Sequence, residues 1–183
     1  LKLLFQASFL LAFLLPFSAH AETVVPAGSN LSWNQTWTKE GSPYIIQGNV
    51  YVRFGSLTIN PGTVVKLMNG VTVTLHADVH VTIAGTLEEP VIFTSFKDDS
   101  ASGDTNGDGN VSAPAPGDWG YLSLGGGSTN NNMQVQHLKV RYGGAVPITY
   151  GSIYVGFFTA SPTLLVDFPW FSGNPGIGYT VVT

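Results

Sequence analysis

Leu57-Thr58-Ile59-Asn60-Pro61-Gly62-Thr63 is echoed further along the chain by Val81-Thr82-Ile83-Ala84-Gly85-Thr86. A second echo relates Gly151-Ser152-Ile153-Tyr154-Val155 to Gly176-Ile177-Gly178-Tyr179-Thr180-Val181. Both offsets are about 23–25 residues. Within one period the apolar runs are short, and Gly48, Gly55, Gly62 and Gly70 fall seven or eight residues apart, each opening a strand-like segment. Three short strands in a turn of roughly 20–25 residues describe a β-solenoid, in which each coil buries its inward face only by stacking on the next. A hairpin protein would carry two-residue Asn-Gly or Asp-Gly turns between longer alternating strands. A β-sandwich with degenerate strands is the competing reading, and the uniform turns count against it.

Outward from this stretch the same texture continues. Runs rich in Val, Ile, Thr and aromatics lie at 49–53, 56–59, 63–67, 71–75, 80–83, 91–95, 121–124, 135–142, 152–157, 163–168 and 178–182. No window of about 11 residues keeps a helical apolar period. The chain is therefore read as all-β. Two regions break the rhythm. Residues 22–44, with Trp33, Trp37 and Tyr44, read as a segment capping the first coil. Residues 97–118 form a polar insertion in the solenoid that occupies 45–183, and a loop of this length in a compact domain is usually functional or tied by a ligand.

Residues 1–21 read as a secretory signal peptide. Lys2 is the positive n-region, 3–17 the apolar core, and Ala19-His20-Ala21 a small-x-small cleavage pattern before Glu22. That core is about 15 residues, short of the roughly 20 that a membrane-spanning helix needs. Export is the expectation, with no membrane span once the signal is cleaved. The first residue is Leu rather than Met, and the last run, 178–182, ends as an open strand. Both features suggest a chain clipped from, or shorter than, larger proteins, truncated at its C-terminus. An uncapped last coil predicts self-association through its free edge.

Composition narrows the function. With no cysteine, disulfide frameworks, thiolate zinc sites, Fe–S clusters and cysteine nucleophiles are excluded together. Seven Lys+Arg against eleven Asp+Glu, with no basic run, argue against nucleic acid as a partner.

The strongest chemical pattern is Asp104-Thr105-Asn106-Gly107-Asp108-Gly109-Asn110. This D-x-N-x-D-G spacing is the front half of a calcium loop. Oxygens at positions 1, 3 and 5 converge on one cation because the glycine at position 6 allows a sharp turn, and Asn110 at position 7 offers its backbone carbonyl. The usual glutamate at position 12 is replaced by Ala115, and no helical pattern flanks the loop, so this is not an EF-hand. Asp98, Asp99 and Asp118 are candidates to complete the shell. Five of the eleven acidic residues fall within 98–118, facing only Lys97, and a divalent ion would relieve their repulsion. The competing reading is a solvated acidic turn held by Asx hydrogen bonds.

Other candidates are weaker. Trp119 could stack on a sugar ring, but a core or cap aromatic at a strand start is the reading preferred for it and for Trp33, Trp37 and Trp170. His76 and His80 are four apart, but Ala77-Asp78 between them reads as a turn, so a metal pair is not expected. Polysaccharide hydrolysis needs a carboxylate pair at set separation. Beyond the loop, Asp167 is the sole later acid, and only Arg53 and Arg141 are available as basic partners.

Several runs resemble bacterial secreted right-handed parallel β-helix proteins of the pectin-lyase-like type. They are 42–46, 57–67, Gly85-Thr86-Leu87, 90–95 with Asp98-Asp99, 103–109, Pro116-Gly117-Asp118-Trp119-Gly120, 140–144 and Ser161-Pro162-Thr163. Together they cover roughly residues 40–180, and their order is more specific than any single piece. The resemblance implies a right-handed parallel β-helix, often a module of a large extracellular or cell-surface protein. The expected function is an exported, non-enzymatic module with a structural or binding, adhesin-like role, stabilised by Ca²⁺ and facing polysaccharide or cell-surface components. The alternative is a carbohydrate-active protein, either a polysaccharide lyase-like enzyme or a carbohydrate-binding module.

Overall fold

Among the described residues every strand pairing is parallel. The computed structural model describes residues 22–29, 31, 34–76, 79–124, 133–144 and 153–155. The leader at 1–21, the echo of 151–155 at 176–181, Asp167, and the strands expected at 163–168 and 178–182 lie outside the described residues.

In chain order the strands are β1 Thr23–Val25, β2 Gln35–Trp37, β3 Tyr44–Ile46, β4 Val50–Val52, β5 Ser56–Ile59, β6 Val64–Leu67 and β7 Val73–Leu75. They continue as β8 His80–Ala84, β9 Val91–Ser95, β10 Leu122–Leu124, β11 Met133–Gln136, β12 Leu138–Val140 and β13 Ile153–Val155. Among the described residues they form three parallel sheets. Sheet 1 runs β1-β3-β6-β9-β12, sheet 2 runs β4-β7-β10-β13, and sheet 3 runs β2-β5-β8-β11. Each strand pairs with the strand one coil away, not with its neighbour in sequence. This is a right-handed parallel β-helix.

The register follows the sequence echo. Leu57, Thr58 and Ile59 of β5 pair with Val81, Thr82 and Ile83 of β8. The side chains that repeat in sequence therefore stack in space, and the inward ones form the core. Sheet 3 contributes Leu57, Ile59, Val81, Ile83 and Val135, all at most 2% exposed. Sheet 2 contributes Val50, Val52, Val73, Leu75, Leu122 and Leu124, and sheet 1 Tyr44, Ile46, Val65, Leu67, Phe93, Leu138 and Val140.

Three features depart from the sequence expectation. First, 22–44 is more than a cover: β1 and β2 are themselves the first rungs of sheets 1 and 3. Trp37 stacks on Tyr44 with ring centroids 4.7 Å apart, filling that end of the core. Second, the run 135–142 is two strands. His137 has φ 45°, a left-handed conformation that turns the chain between β11 in sheet 3 and β12 in sheet 1. Third, the middle of sheet 1 is covered outside as well as inside, with Ile45, Lys66 and Thr94 buried while Val24 at its first rung is exposed. Strands such as β4 alternate buried and exposed, whereas all four residues of β6 are buried.

The corners are also tied. The Lys39 stem passes over Gly62, where a Cβ would lie 2.9 Å from its Cδ, and its ammonium reaches Glu89. That ion pair joins the corner after β2 to the corner after β8, and the Gly62 N–H donates to the Glu89 carbonyl between them.

Candidate metal centre in the 97–118 loop

The loop leaves sheet 1 at the end of β9 and re-enters sheet 2 at β10, so it fills the corner between them and folds back over the outer face of sheet 1. One outward row of that sheet carries it. Ile45, Lys66 and Thr94 are register neighbours on β3, β6 and β9. Thr94 donates to Asp98 Oδ2 at 2.6 Å. Lys66, fully buried, donates through Nζ to the Gly103 carbonyl at 2.6 Å and to Thr105 Oγ1 at 2.8 Å. Burial pulls the Lys66 pKa below its ordinary value, and the negative charges of Asp98, Asp99, Glu22 and Asp104 oppose that shift.

The foot of the loop is stitched separately. Asp118 accepts from Ser95 Oγ at 2.7 Å, from the Ala115 N–H at 2.9 Å and from Lys97 Nζ at 2.9 Å. Gly70 N–H donates to the Asp118 carbonyl, and Trp119 forms a parallel bridge with Gly143 on the next coil. Trp119 is 0% exposed and its Nε1 donates to the Arg141 carbonyl at 2.7 Å, so it is a core aromatic and no platform for a sugar.

The candidate ligands divide into three groups. Asp99, Asp104 and Asp108 come together: one carboxylate oxygen from each lies within 4.8 Å of the others. Asn106 belongs with them. Asp98 and Asp118 stand apart, each committed to its own bonds; Asp98 also accepts from Ser100 and pairs with Arg141 Nη1 at 3.5 Å. Asn110 is exposed just past the turn.

Within the cluster the hydrogen bonds dictate which atoms remain. Asp104 holds the turn: Oδ1 accepts from the N–H groups of Gly107 (2.8 Å) and Asp108 (3.2 Å), and Oδ2 from that of Gly109 (2.8 Å). Gly109 has φ +69°, the left-handed turn that the D-x-N-x-D-G spacing requires at position 6. Asn106 Nδ2 donates to Asp108 Oδ2 and to Ser112 Oγ, both at 2.9 Å, and Ser112 donates to the same Asp108 oxygen. Because that amide edge must face a carboxylate, the opposite edge must present its carbonyl oxygen. Three shielded atoms are then left with no hydrogen-bond partner: Asp99 Oδ1, Asn106 Oδ1 and Asp108 Oδ1. All three are acceptors. A shielded group of hard oxygens without a donor fits a cation of the calcium type, which takes only oxygen ligands.

His76 follows β7 in sheet 2 and His80 opens β8 in sheet 3, so a corner separates them. The residue that sequence reasoning missed is Lys66. Its signal was faint: it is the only cation between Arg53 and Lys97, set in an apolar strand.

A family model described as a pectate-lyase-like β-helix domain matches residues 29–151, or 123 of 183 residues. No curated protein and no solved structure gives a significant match to the chain.

Proposed function

Because the chain belongs to the pectate-lyase-like β-helix domain family, we propose that it serves as an exported, non-enzymatic module with a structural or binding role at the cell surface, stabilised by one Ca²⁺ in its 97–118 loop. The observation that carries the reading is the trio of partnerless acceptor atoms on Asp99, Asn106 and Asp108 beside the Asp104 carboxylate. These residues would hold the ion, which supplies charge neutralisation and a fixed loop rather than a reaction step. Asp98 and Asp118, the other acids of the loop, are spent on hydrogen bonds that fasten it to the coils, which favours a structural over a catalytic use.

An ion that binds only the folded form stabilises it by RT ln(1 + [L]/Kd), about 2.7 kcal/mol at a hundredfold excess over Kd. Lacking the position-12 glutamate, the site belongs in the ~10⁻⁴–10⁻³ M range of extracellular modules. Millimolar calcium should raise the melting temperature and protect 97–118 from proteolysis. Asp99→Ala and Asp108→Ala should cancel the calcium-dependent increment. If wild type and variants melt alike with calcium or chelator, the loop is an acidic turn and no more.

A second reading, carbohydrate binding, is favoured by one surface feature. Arg53 lies over the half-exposed Tyr51 ring at 5.9 Å from its centroid, and Phe54, next in sequence, is 67% exposed. Aromatic faces with a cation at hand suit an acidic glycan. Retention on a polyuronate matrix that Tyr51→Ala abolishes would support it, and no retention by wild type would remove it.

A further inference from the structure

Asn-Gly occurs twice in the chain, at Asn69-Gly70 and Asn106-Gly107. This dipeptide is prone to lose its side-chain amide, because glycine places no Cβ beside its own attacking nitrogen. The two copies sit in opposite surroundings. Asn106 is half-buried, its Nδ2 is engaged by Asp108 and Ser112, and the Gly107 N–H is held by the Asp104 carboxylate at 2.8 Å. Asn69 is exposed at the corner after β6, and among the described residues no hydrogen bond ties its amide. That corner is a type II turn: the Val71 N–H donates to the Met68 carbonyl at 3.2 Å, and Gly70 has φ 72°. The Gly70 N–H donates only to a neutral carbonyl, that of Asp118, at 3.2 Å.

We infer that Asn69 is a site of spontaneous deamidation and that its conversion unfastens the foot of the 97–118 loop. The Gly70 nitrogen gives its proton to solvent and attacks Asn69 Cγ. A C–N bond forms, the Cγ–Nδ2 bond breaks, ammonia leaves and a succinimide ring closes. Water then opens the ring at either carbonyl, to aspartate or to isoaspartate. In isoaspartate the main chain runs through Cβ and Cγ and is longer by a carbon. The turn has no slack for it, because the returning end of the loop is laced to the same corner. The Gly120 N–H donates to the Val71 carbonyl at 2.8 Å and the Val73 N–H to the Tyr121 carbonyl at 2.9 Å. A Cβ on Gly120 would lie 2.5 Å from Thr72 Cγ2 and 3.0 Å from the Val71 carbonyl oxygen. A longer backbone at 69–70 therefore displaces 118–120, and with it the Asp118 carboxylate that holds Ser95, Lys97 and the Ala115 N–H. The coupling is mutual: the Gly70 nitrogen must leave the Asp118 carbonyl before it can attack, so a loosened foot speeds the reaction.

The full chain, incubated at mildly alkaline pH where the backbone amide loses its proton more readily, is followed by peptide mass mapping. The Asn69 peptide should convert to an aspartate and isoaspartate doublet while Asn106 stays intact. The converted fraction carries an added negative charge and separates on anion exchange; it should be cleaved faster within 97–118 than the unconverted one. Freshly prepared Asn69→Asp has the added charge and a normal main chain, and it should resist cleavage as wild type does. Asp118→Asn should convert faster at Asn69. An Asn69 that persists as long as Asn106 would refute the site. A converted fraction cleaved no faster than Asn69→Asp would refute its link to the loop, and equal conversion rates in wild type and Asp118→Asn would refute the mutual coupling.

Discussion

Asp118 fastens the foot of the loop, and its ionisation reports on that fastening. Burial alone would push its pKa up. The Ser95 hydroxyl, the Ala115 N–H and the Lys97 ammonium outweigh burial and hold it below the usual 3.8. A carboxyl whose folded-state pKa is depressed contributes stability that is present above its unfolded pKa and lost as pH falls through the folded one. The foot should therefore stay closed at neutral pH and loosen only on acidification below 3.8, visible as faster cleavage within 97–118. Asp118→Asn should remove the acid-dependent step and cost about 1–2 kcal/mol at neutral pH, measured by denaturant unfolding. His137 makes a second residue-scale case. Its φ of 45° is affordable for a histidine but steeply unfavourable for a β-branched side chain. His137→Val should lower stability by about 1–2 kcal/mol, and His137→Gly should not. Equal effects from the two variants would mean that the side chain, not the backbone, matters there.

Strands β6 and β9 carry both the core and the loop. On their inner faces Val65 and Phe93 are register partners, both at most 1% exposed. Phe93→Ala should cost about 3–5 kcal/mol in a thermal or denaturant melt. On the outer face the same two strands present Lys66 and Thr94 to the loop. The inner face was legible in the sequence and the outer one was not. Leu57-Thr58-Ile59 and Val81-Thr82-Ile83 repeat because stacked coils demand like side chains at like positions, so the period and the register could be read directly. Lys66 obeys no such rule. Its burial depends on Gly103 and Thr105, 37 and 39 residues further on, and only the folded loop makes it an interior residue. The break at His137 was hidden for a similar reason: no glycine or proline marks the turn. The D-x-N-x-D-G spacing did locate the Asp104 turn, because residue order along a tight loop is a local property. Which of the outlying acids would join it is a long-range matter of competing hydrogen bonds.

In a solenoid each coil touches only its neighbours, so stability is distributed along the axis. Amide exchange should be slowest in β6 and β9 and fastest in β1 and β2. If calcium occupies the loop, its protection should spread to β6 and β9, because Lys66 and Thr94 tie both strands to it. Protection confined to 97–118 would mean that the loop is an independent appendage. The strap from Lys39 across Gly62 to Glu89 has a consequence of a mechanical kind. Tension along the axis would peel a stack of parallel coils one at a time, each row of ladder bonds failing in turn like a zip. The strap skips a coil. It links two corners that share no strand pairing, so force applied at the N-terminal end is handed past the middle coil to the one beyond. The first coils should then yield as a block at low ionic strength. They should yield singly in concentrated salt, where an exposed ion pair is screened away.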